Sequence, residues 1–262
     1  MFTALTIAGS DSSGGAGIQA DIKTMTMHGV FAMSAITSLT AQNTLGVRDI
    51  FDVTPDFLKK QIQAVFEDIT PDAVKIGMVS NSALIKVIAD ELKRYKAKHI
   101  VVDPVMVSTS GSKLIKDDAV KALKENLFPI AEVITPNVSE LSILVDSEVK
   151  DVDKMASSAL VLAERYNVAV LAKGGHLKTD AVDLLALPGG AVFSFNSKRI
   201  ENLNTHGTGC TLSSAIAANL AKGVTLKEAA RRAKEYVHGA IKANLKLGGG
   251  RGPLNHMYNL NF

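Results

Sequence analysis

The densest chemistry in this chain lies in Thr205-His206-Gly207-Thr208-Gly209-Cys210-Thr211. A loop with two glycines runs directly into the apolar, Ala-rich segment Leu212–Leu220, which reads as a buried helix. The first turn of a helix has free backbone N–H groups and a partial positive charge, so it holds anions. Cys210 is the only cysteine in the chain and sits where that helix should begin. The same end of the helix dipole favours a thiolate. A small-residue loop, a helix start and a possible base are the equipment for stabilising a phosphoryl group in flight while a hydroxyl loses its proton. The same residues also fit a plainer reading, a Thr-capped turn beside a small buried cysteine.

Other motifs sharpen the choice. The loop Gly9–Gly17 contains Gly15-Ala16-Gly17-Ile18-Gln19-Ala20, which matches the dinucleotide pattern G-x-G-x-x-A. Two features oppose an oxidoreductase. Several residues separate the preceding strand from the first glycine, and the second strand ends at Gln42-Asn43 rather than at an acidic residue for a ribose hydroxyl. A Walker A loop is absent, so phosphoryl transfer would need another scaffold. Asn137 and Glu140 stand three apart at a helix start; the spacing by itself favours a capping box, and the same oxygens also suit Mg²⁺ held through water. Asp103, before Pro104, is a candidate for metal or substrate, or simply starts a turn. Lys173, before Gly174 and Gly175, could reach a phosphate, whereas His176 has no assigned role.

Alternating elements must position these residues. Strands are expected at Ala4–Ala8, Ser34–Thr40, Ala73–Ile76, His99–Val102, Val133–Thr135 and Val168–Lys173. Ala181–Leu187 and Ala191–Phe195 form a hairpin across Pro188-Gly189-Gly190. Helices are expected at Ile18–His28, Pro55–Phe66 (capped by Thr54), Asn81–Tyr95, Asp117–Leu127, Asn137–Leu144, Asp153–Tyr166, Thr211–Ala221 and Leu226–Lys246. This alternation predicts an α/β fold with a central, mostly parallel sheet covered by helices on both faces. Ligands bind such sheets beyond the carboxyl ends of the strands, where most of the motifs fall.

Composition sets the outer bounds. The 262 residues allow one large core, and no Pro/Gly-rich linker divides them, so a single domain over 1–262 is expected. A net charge of +3 with dispersed Lys and Arg argues against nucleic acid and suits an anionic small substrate. No Cys/His cluster has zinc spacing, and no apolar run approaches a membrane span. Met1–Ala8 shows no basic leader, so a cytoplasmic location is expected.

Taken in order, these motifs resemble one family. Ala8–Asp21, Thr40–Val47, Lys75–Met78, Asp103–Val107, Thr135–Asn137, Lys173–His176, Thr205–Thr211 and Gly252–His256 are similar to segments of the bacterial hydroxymethylpyrimidine and phosphomethylpyrimidine kinases of thiamine synthesis. The resemblance implies a ribokinase-like fold and a homodimer. It implies two ATP- and Mg²⁺-dependent steps, from 4-amino-5-hydroxymethyl-2-methylpyrimidine to its monophosphate and then its diphosphate. It makes Cys210 the base and Gly207, Thr208 and Gly209 the anion hole. Gln42 would bond the pyrimidine, with Ala16, Met78 and Val105 around it and Asp21 among the substrate-binding residues. Asp103, Asn137 and Glu140 would serve Mg²⁺, and Lys173 and Thr208 would contact ATP. Two positions depart from the family pattern: Gln42 replaces a Glu found in some members, and Leu144–Ser147 lacks an expected Thr-Gly. A pyridoxal kinase shares the Gly-Cys signature and is the nearest alternative, though Thr40–Val47 and Gly252–His256 favour the pyrimidine. A non-catalytic pyrimidine-binding protein is a further alternative.

Overall fold

A nine-stranded sheet forms the centre of the computed structural model, which describes residues 1–106, 117–175 and 181–260. Its strands are β1 (Phe2–Asp11), β2 (Val30–Asn43), β3 (Gly46–Asp52), β4 (Ala73–Ile76), β5 (Ile100–Val102), β6 (Val133–Ile134), β7 (Ala169–Lys173), β8 (Ala181–Ala186) and β9 (Val192–Ser197). They lie in the order β3-β2-β1-β4-β5-β6-β7-β8-β9. The strands from β2 to β7 in that order run parallel; β3 pairs antiparallel with β2, and β8 and β9 form the expected hairpin at the other end.

The helices are α1 (Gly17–Met27), α2 (Pro55–Phe66), α3 (Ser82–Arg94), α4 (Asp117–Ala122), α5 (Val138–Val145), α6 (Val152–Tyr166), α7 (Thr208–Ala221) and α8 (Leu226–Lys242). One face of the sheet buries Leu58 and Ile62 of α2, Leu84 and Ile88 of α3, Leu141 of α5 and Met155 of α6. The other face buries Met25 of α1, Leu212 and Ile216 of α7, and Ala229 and Ala233 of α8. Such side chains contribute about 1.5–3 kcal/mol each for the larger aliphatics. The short strands β4 to β6 are buried throughout, as a sheet covered on both faces requires.

Local chemistry starts several helices as expected. Thr54 caps α2 by accepting from Phe57 N–H, with Pro55 at the first position. Asn81 caps α3 by accepting from Leu84 N–H. Five expectations are corrected. β2 starts at Val30, not Ser34, and β3 was not anticipated. The segment after α4 tightens and widens, with a π turn at Leu123–Leu127 and a 3₁₀ turn at Phe128–Ile130. α8 ends at Lys242, followed by positive φ at Asn244 and Lys246. α7 begins at Thr208 rather than Thr211, which places Cys210 inside its first turn.

The sheet reverses its winding direction at β1. One connection leaves β1 for β2 on one side, and the chain returns to β4 on the other. In open α/β sheets the crevice at such a switch point is where ligands bind. Gly9 of β1 faces Met78 after β4 there, the turn into α7 packs on Gly15 and Ala16, and α7 lies against both strands.

Candidate active site

Gly207 makes the turn into α7 possible. It adopts φ 81° and ψ 8° as the N-cap, a left-handed conformation that glycine alone enters freely. Its α-carbon also packs against the backbone of Gly15 and Ala16, where a methyl group would collide. Gly207 O accepts from Thr211 N–H at 2.9 Å, and Thr208 Oγ1 donates to Thr205 O at 2.7 Å. Helix geometry leaves the N–H groups of Gly209 and Cys210 without intrahelical acceptors. Gly207→Ala should therefore destabilise the fold by at least about 1 kcal/mol, read from urea unfolding, and lower turnover. Wild-type stability in that variant would show that the turn tolerates a side chain.

Opposite this turn stands a charged group of side chains at the tips of β5 to β7. Lys173 Nζ donates to Asp103 Oδ1 at 2.7 Å, and Thr135 Oγ1 donates to the same oxygen at 3.0 Å. Asp103 Oδ2 has a longer contact, 3.4 Å from Ser213 Oγ. Lys173 Nζ lies 4.0 Å from Glu140 Oε2. A β-carbon on Gly209 would stand 3.3 Å from both Asp103 Oδ2 and Lys173 Nζ, so the helix start faces this cluster at contact distance. Asn137 and Glu140 form the capping box of α5, at 2.9 Å and 2.7 Å. Their side-chain oxygens are thus engaged with backbone.

The two carboxyls of this cluster respond in opposite ways. Burial raises Asp103, but the ammonium groups of Lys173 and Lys75 outweigh it and hold the carboxyl below its ordinary value. Burial also raises Glu140, Lys173 lowers it and Asp103 raises it again, leaving it at about 7. Glu140 therefore binds its proton more tightly in the folded chain than in the unfolded chain. Native stability from this group is fullest below its ordinary 4.5 and is lost as pH rises to about 7. Glu140→Gln keeps a capping side chain. The wild type should lose urea resistance relative to Glu140→Gln across that interval; parallel pH curves for the two proteins would contradict this.

Asp21 requires a correction. Its side chain is fully buried beneath the loop and cannot reach a substrate. Asp21 Oδ2 accepts from Lys75 Nζ at 2.7 Å and Thr6 Oγ1 at 2.6 Å, and Oδ1 accepts from Ser214 Oγ at 2.6 Å. This pair is a support under Cys210. Burial pushes the half-buried Cys210 thiol up to about 11; Lys75 and the Gly17 N–H pull it down, while Asp21 and Asp103 push it up. The expectation of a thiol pKa lowered by the helix end does not hold here, because desolvation dominates.

A second set of residues surrounds the N-terminal loop. Asp11 Oδ1 accepts from Ser13 N–H and Oγ at 2.9 and 2.8 Å. Its Oδ2 accepts from Gly15 N–H at 3.1 Å, Ala16 N–H at 2.8 Å and His206 Nε2 at 2.8 Å. Burial alone would raise this carboxyl, but the bonds from His206 and Ser13 hold it at about 2. Asp11 thus ties the loop before α1 to the loop before α7. Gln42 Nε2 lies 3.3 Å from His206 Nε2, so the structure brings Gln42 beside the same turn. A β-carbon on Gly9 would stand 3.0 Å from Met78 Cε, which puts Met78 against the floor of the crevice. Val105 follows Asp103 beyond β5 and is half-buried. Sequence reading passed over the roles of Asp11, His206 and Lys75. A lysine inside the apolar strand Ala73–Ile76 was the available signal for the last. Val107 and His176 lie outside the described residues.

Residues 11–255 match the family profile described as phosphomethylpyrimidine kinase. The chain belongs to that family. A Rhizobium meliloti protein named hydroxymethylpyrimidine/phosphomethylpyrimidine kinase is 50% identical, with 97% of each chain covered. Among solved structures, a phosphomethylpyrimidine kinase from Clostridium difficile matches with TM-score 0.82 and 45% identity over 92% of this chain and 100% of that one. A Bacillus subtilis pyridoxal kinase in complex with ADP matches with TM-score 0.92 and 39% identity over 100% of both chains. As a member of the phosphomethylpyrimidine kinase family the protein is a phosphotransferase, and the ribokinase-like α/β fold of these neighbours is its own. Among the described residues no helix is long and apolar enough to cross a membrane.

Proposed function

We propose that the chain uses ATP to phosphorylate the hydroxymethyl group of 4-amino-5-hydroxymethyl-2-methylpyrimidine, and then converts the monophosphate to the diphosphate. The observation that carries this reading is the contact between the first turn of α7 and the Asp103–Lys173 pair, with Cys210 in that same turn. The substrate oxygen attacks the γ-phosphorus, a new O–P bond forms, and the bond to the ADP oxygen breaks. The N–H groups of Gly209 and Cys210, with Lys173, stabilise the charge spread over the moving phosphoryl group. The substrate's hydroxyl proton passes to the Cys210 thiolate. Gln42 bonds the pyrimidine edge, and Ala16, Met78 and Val105 flank the ring. Thr208 lies beside the phosphates.

Magnesium fits as a partner of ATP rather than as a resident ion. Among the described residues no group of three or more His, Cys, Asp or Glu side chains is close enough to hold a metal. The available oxygens suit Mg²⁺ bound through one carboxylate, water and phosphates. Asp103 Oδ2, whose contact to Ser213 among the described residues is 3.4 Å long, would be the donor once the buried carboxylate is reached, and Asn137 and Glu140 would act through water. Held there, Mg²⁺ would neutralise phosphate charge. We place the protein in the cytoplasm, as a homodimer of single kinase domains.

The likeness to pyridoxal kinases supports a second reading, phosphorylation of pyridoxal on the same scaffold. A substrate panel with ATP, with products identified as mono- or diphosphate, separates the two. Turnover of the pyrimidine and of its monophosphate is expected. Turnover of pyridoxal alone would overturn the first reading.

A further inference from the structure

Two neighbours of the Gln42 amide make incompatible demands on it as it stands. Its Oε1 lies 3.1 Å from Thr40 Oγ1, and its Nε2 lies 3.3 Å from His206 Nε2. Thr40 has one hydroxyl hydrogen, and Ser10 O, a pure acceptor, takes it at 2.8 Å. Toward Gln42, the Thr40 oxygen can therefore only accept. His206 Nε2 lies 2.8 Å from Asp11 Oδ2, an oxygen of a carboxyl held ionised at ordinary pH. A ring nitrogen that close to a carboxylate carries its one hydrogen toward it, so toward Gln42 it cannot accept: an amide N–H placed there would face an N–H, whereas an amide oxygen can share the same hydrogen in a three-centre bond. Thr40 needs a donor, and His206 Nε2, already given to Asp11, tolerates an acceptor but not a donor. A half-turn of the terminal amide satisfies both at once, since oxygen and nitrogen exchange places with almost no change of shape.

We propose that His206, held by Asp11, fixes the Gln42 amide with its oxygen toward the imidazole and its nitrogen toward Thr40, and so sets the donor–acceptor order offered to the substrate ring. After both internal bonds are made, the amide keeps one free N–H and one free oxygen lone pair. An aminopyrimidine edge, with a ring nitrogen beside an amino group, accepts and donates in one order. Its 4-oxo analogue presents the opposite order. A fixed amide discriminates between them; an amide free to turn accommodates either. His206 is thus a positioning residue for specificity. The inference rests on the reading of Gln42 as the group that meets the pyrimidine.

The test compares the hydroxymethylpyrimidine with its 4-oxo analogue. His206→Leu should reduce discrimination in kcat/KM by about 10–100-fold, the scale of a bidentate amide contact. The change should appear in KM for the pyrimidine, with KM for ATP unaltered, and His206→Gln should restore it by keeping a donor. In a Gln42→Ala background the His206→Leu effect on discrimination should vanish, because one residue acts through the other. An additive effect, or a loss of kcat and ATP affinity at unchanged discrimination, would show that His206 only supports the loop. If Gln42→Ala itself leaves KM and discrimination unchanged, the underlying reading of Gln42 fails instead. The wild-type protein offers a check independent of folding in the variants. The Gln42 side-chain amide protons should show NMR cross-relaxation to the Thr40 methyl group; cross-relaxation to the His206 ring alone would overturn the proposal.

Discussion

Cys210→Ala should lower kcat by about 10²–10⁴-fold, the usual contribution of a positioned general base, while KM for the pyrimidine and for ATP changes little. The thiol lies in the first turn of α7, within the same turn as the N–H groups proposed to hold the phosphoryl oxygens. Removing it takes away the proton acceptor and leaves that turn in place. The pH dependence provides a second signature. Burial holds the thiol up at about 11, so its thiolate form grows tenfold with each pH unit through the neutral range. If that thiolate takes the proton, kcat/KM of the wild type should climb with pH. Cys210→Asp supplies a carboxylate that is already ionised at neutral pH, so its profile should be flatter and its activity partly retained. A Cys210→Ala enzyme with near-normal turnover, or a wild-type profile flat from neutral to alkaline pH, would remove Cys210 from the role of base.

Asp21→Ala is expected to destabilise the fold by about 3–5 kcal/mol, the cost of leaving a buried charge without its partner. The change strands the Lys75 ammonium, whose side chain is fully buried, and removes the acceptor used by Thr6 and Ser214. Ser214 belongs to α7, Thr6 to β1 and Lys75 to β4, so the loss should propagate into the switch-point crevice. A double replacement, Asp21→Leu with Lys75→Met, should recover much of the stability, since well-packed apolar pairs often match buried ion pairs. Urea midpoints measure both. A loss below about 1 kcal/mol for Asp21→Ala would show that the pair contributes little.

The extent to which the sequence foretold the molecule varies with how local the cause is. Helix starts governed by a cap within three residues, at Thr54, Asn81 and Asn137, were legible, and so were the buried strands β4 to β6. The edge strand β3 was not. Arg48, Asp49, Ile50 and Phe51 are all exposed, so no alternation of buried and exposed positions marks it. The start of α7 was misplaced because Gly207 caps through backbone conformation rather than a side chain. Asp21 was legible as part of a motif, but not its role: its partner Lys75 is 54 residues away, and the two meet through the packing of α1 on β1 and the pairing of β1 with β4. Asp11 and His206, 195 residues apart, were hidden for the same reason. In the charged cluster, the positions of Asp103 and Lys173 at strand tips followed from the alternating pattern, whereas their 2.7 Å contact did not.

The raised thiol has a consequence for how the enzyme endures its surroundings. Electrophiles and peroxides attack thiolates, and resistance to them follows from how little thiolate is present at rest. Cys210 is the only cysteine, half-buried and almost entirely protonated near neutral pH. Alkylating reagents should therefore find the protein sluggish, and mild oxidation should leave the proposed base intact. The same desolvation that makes Cys210 a reluctant acid guards it against damage between turnovers.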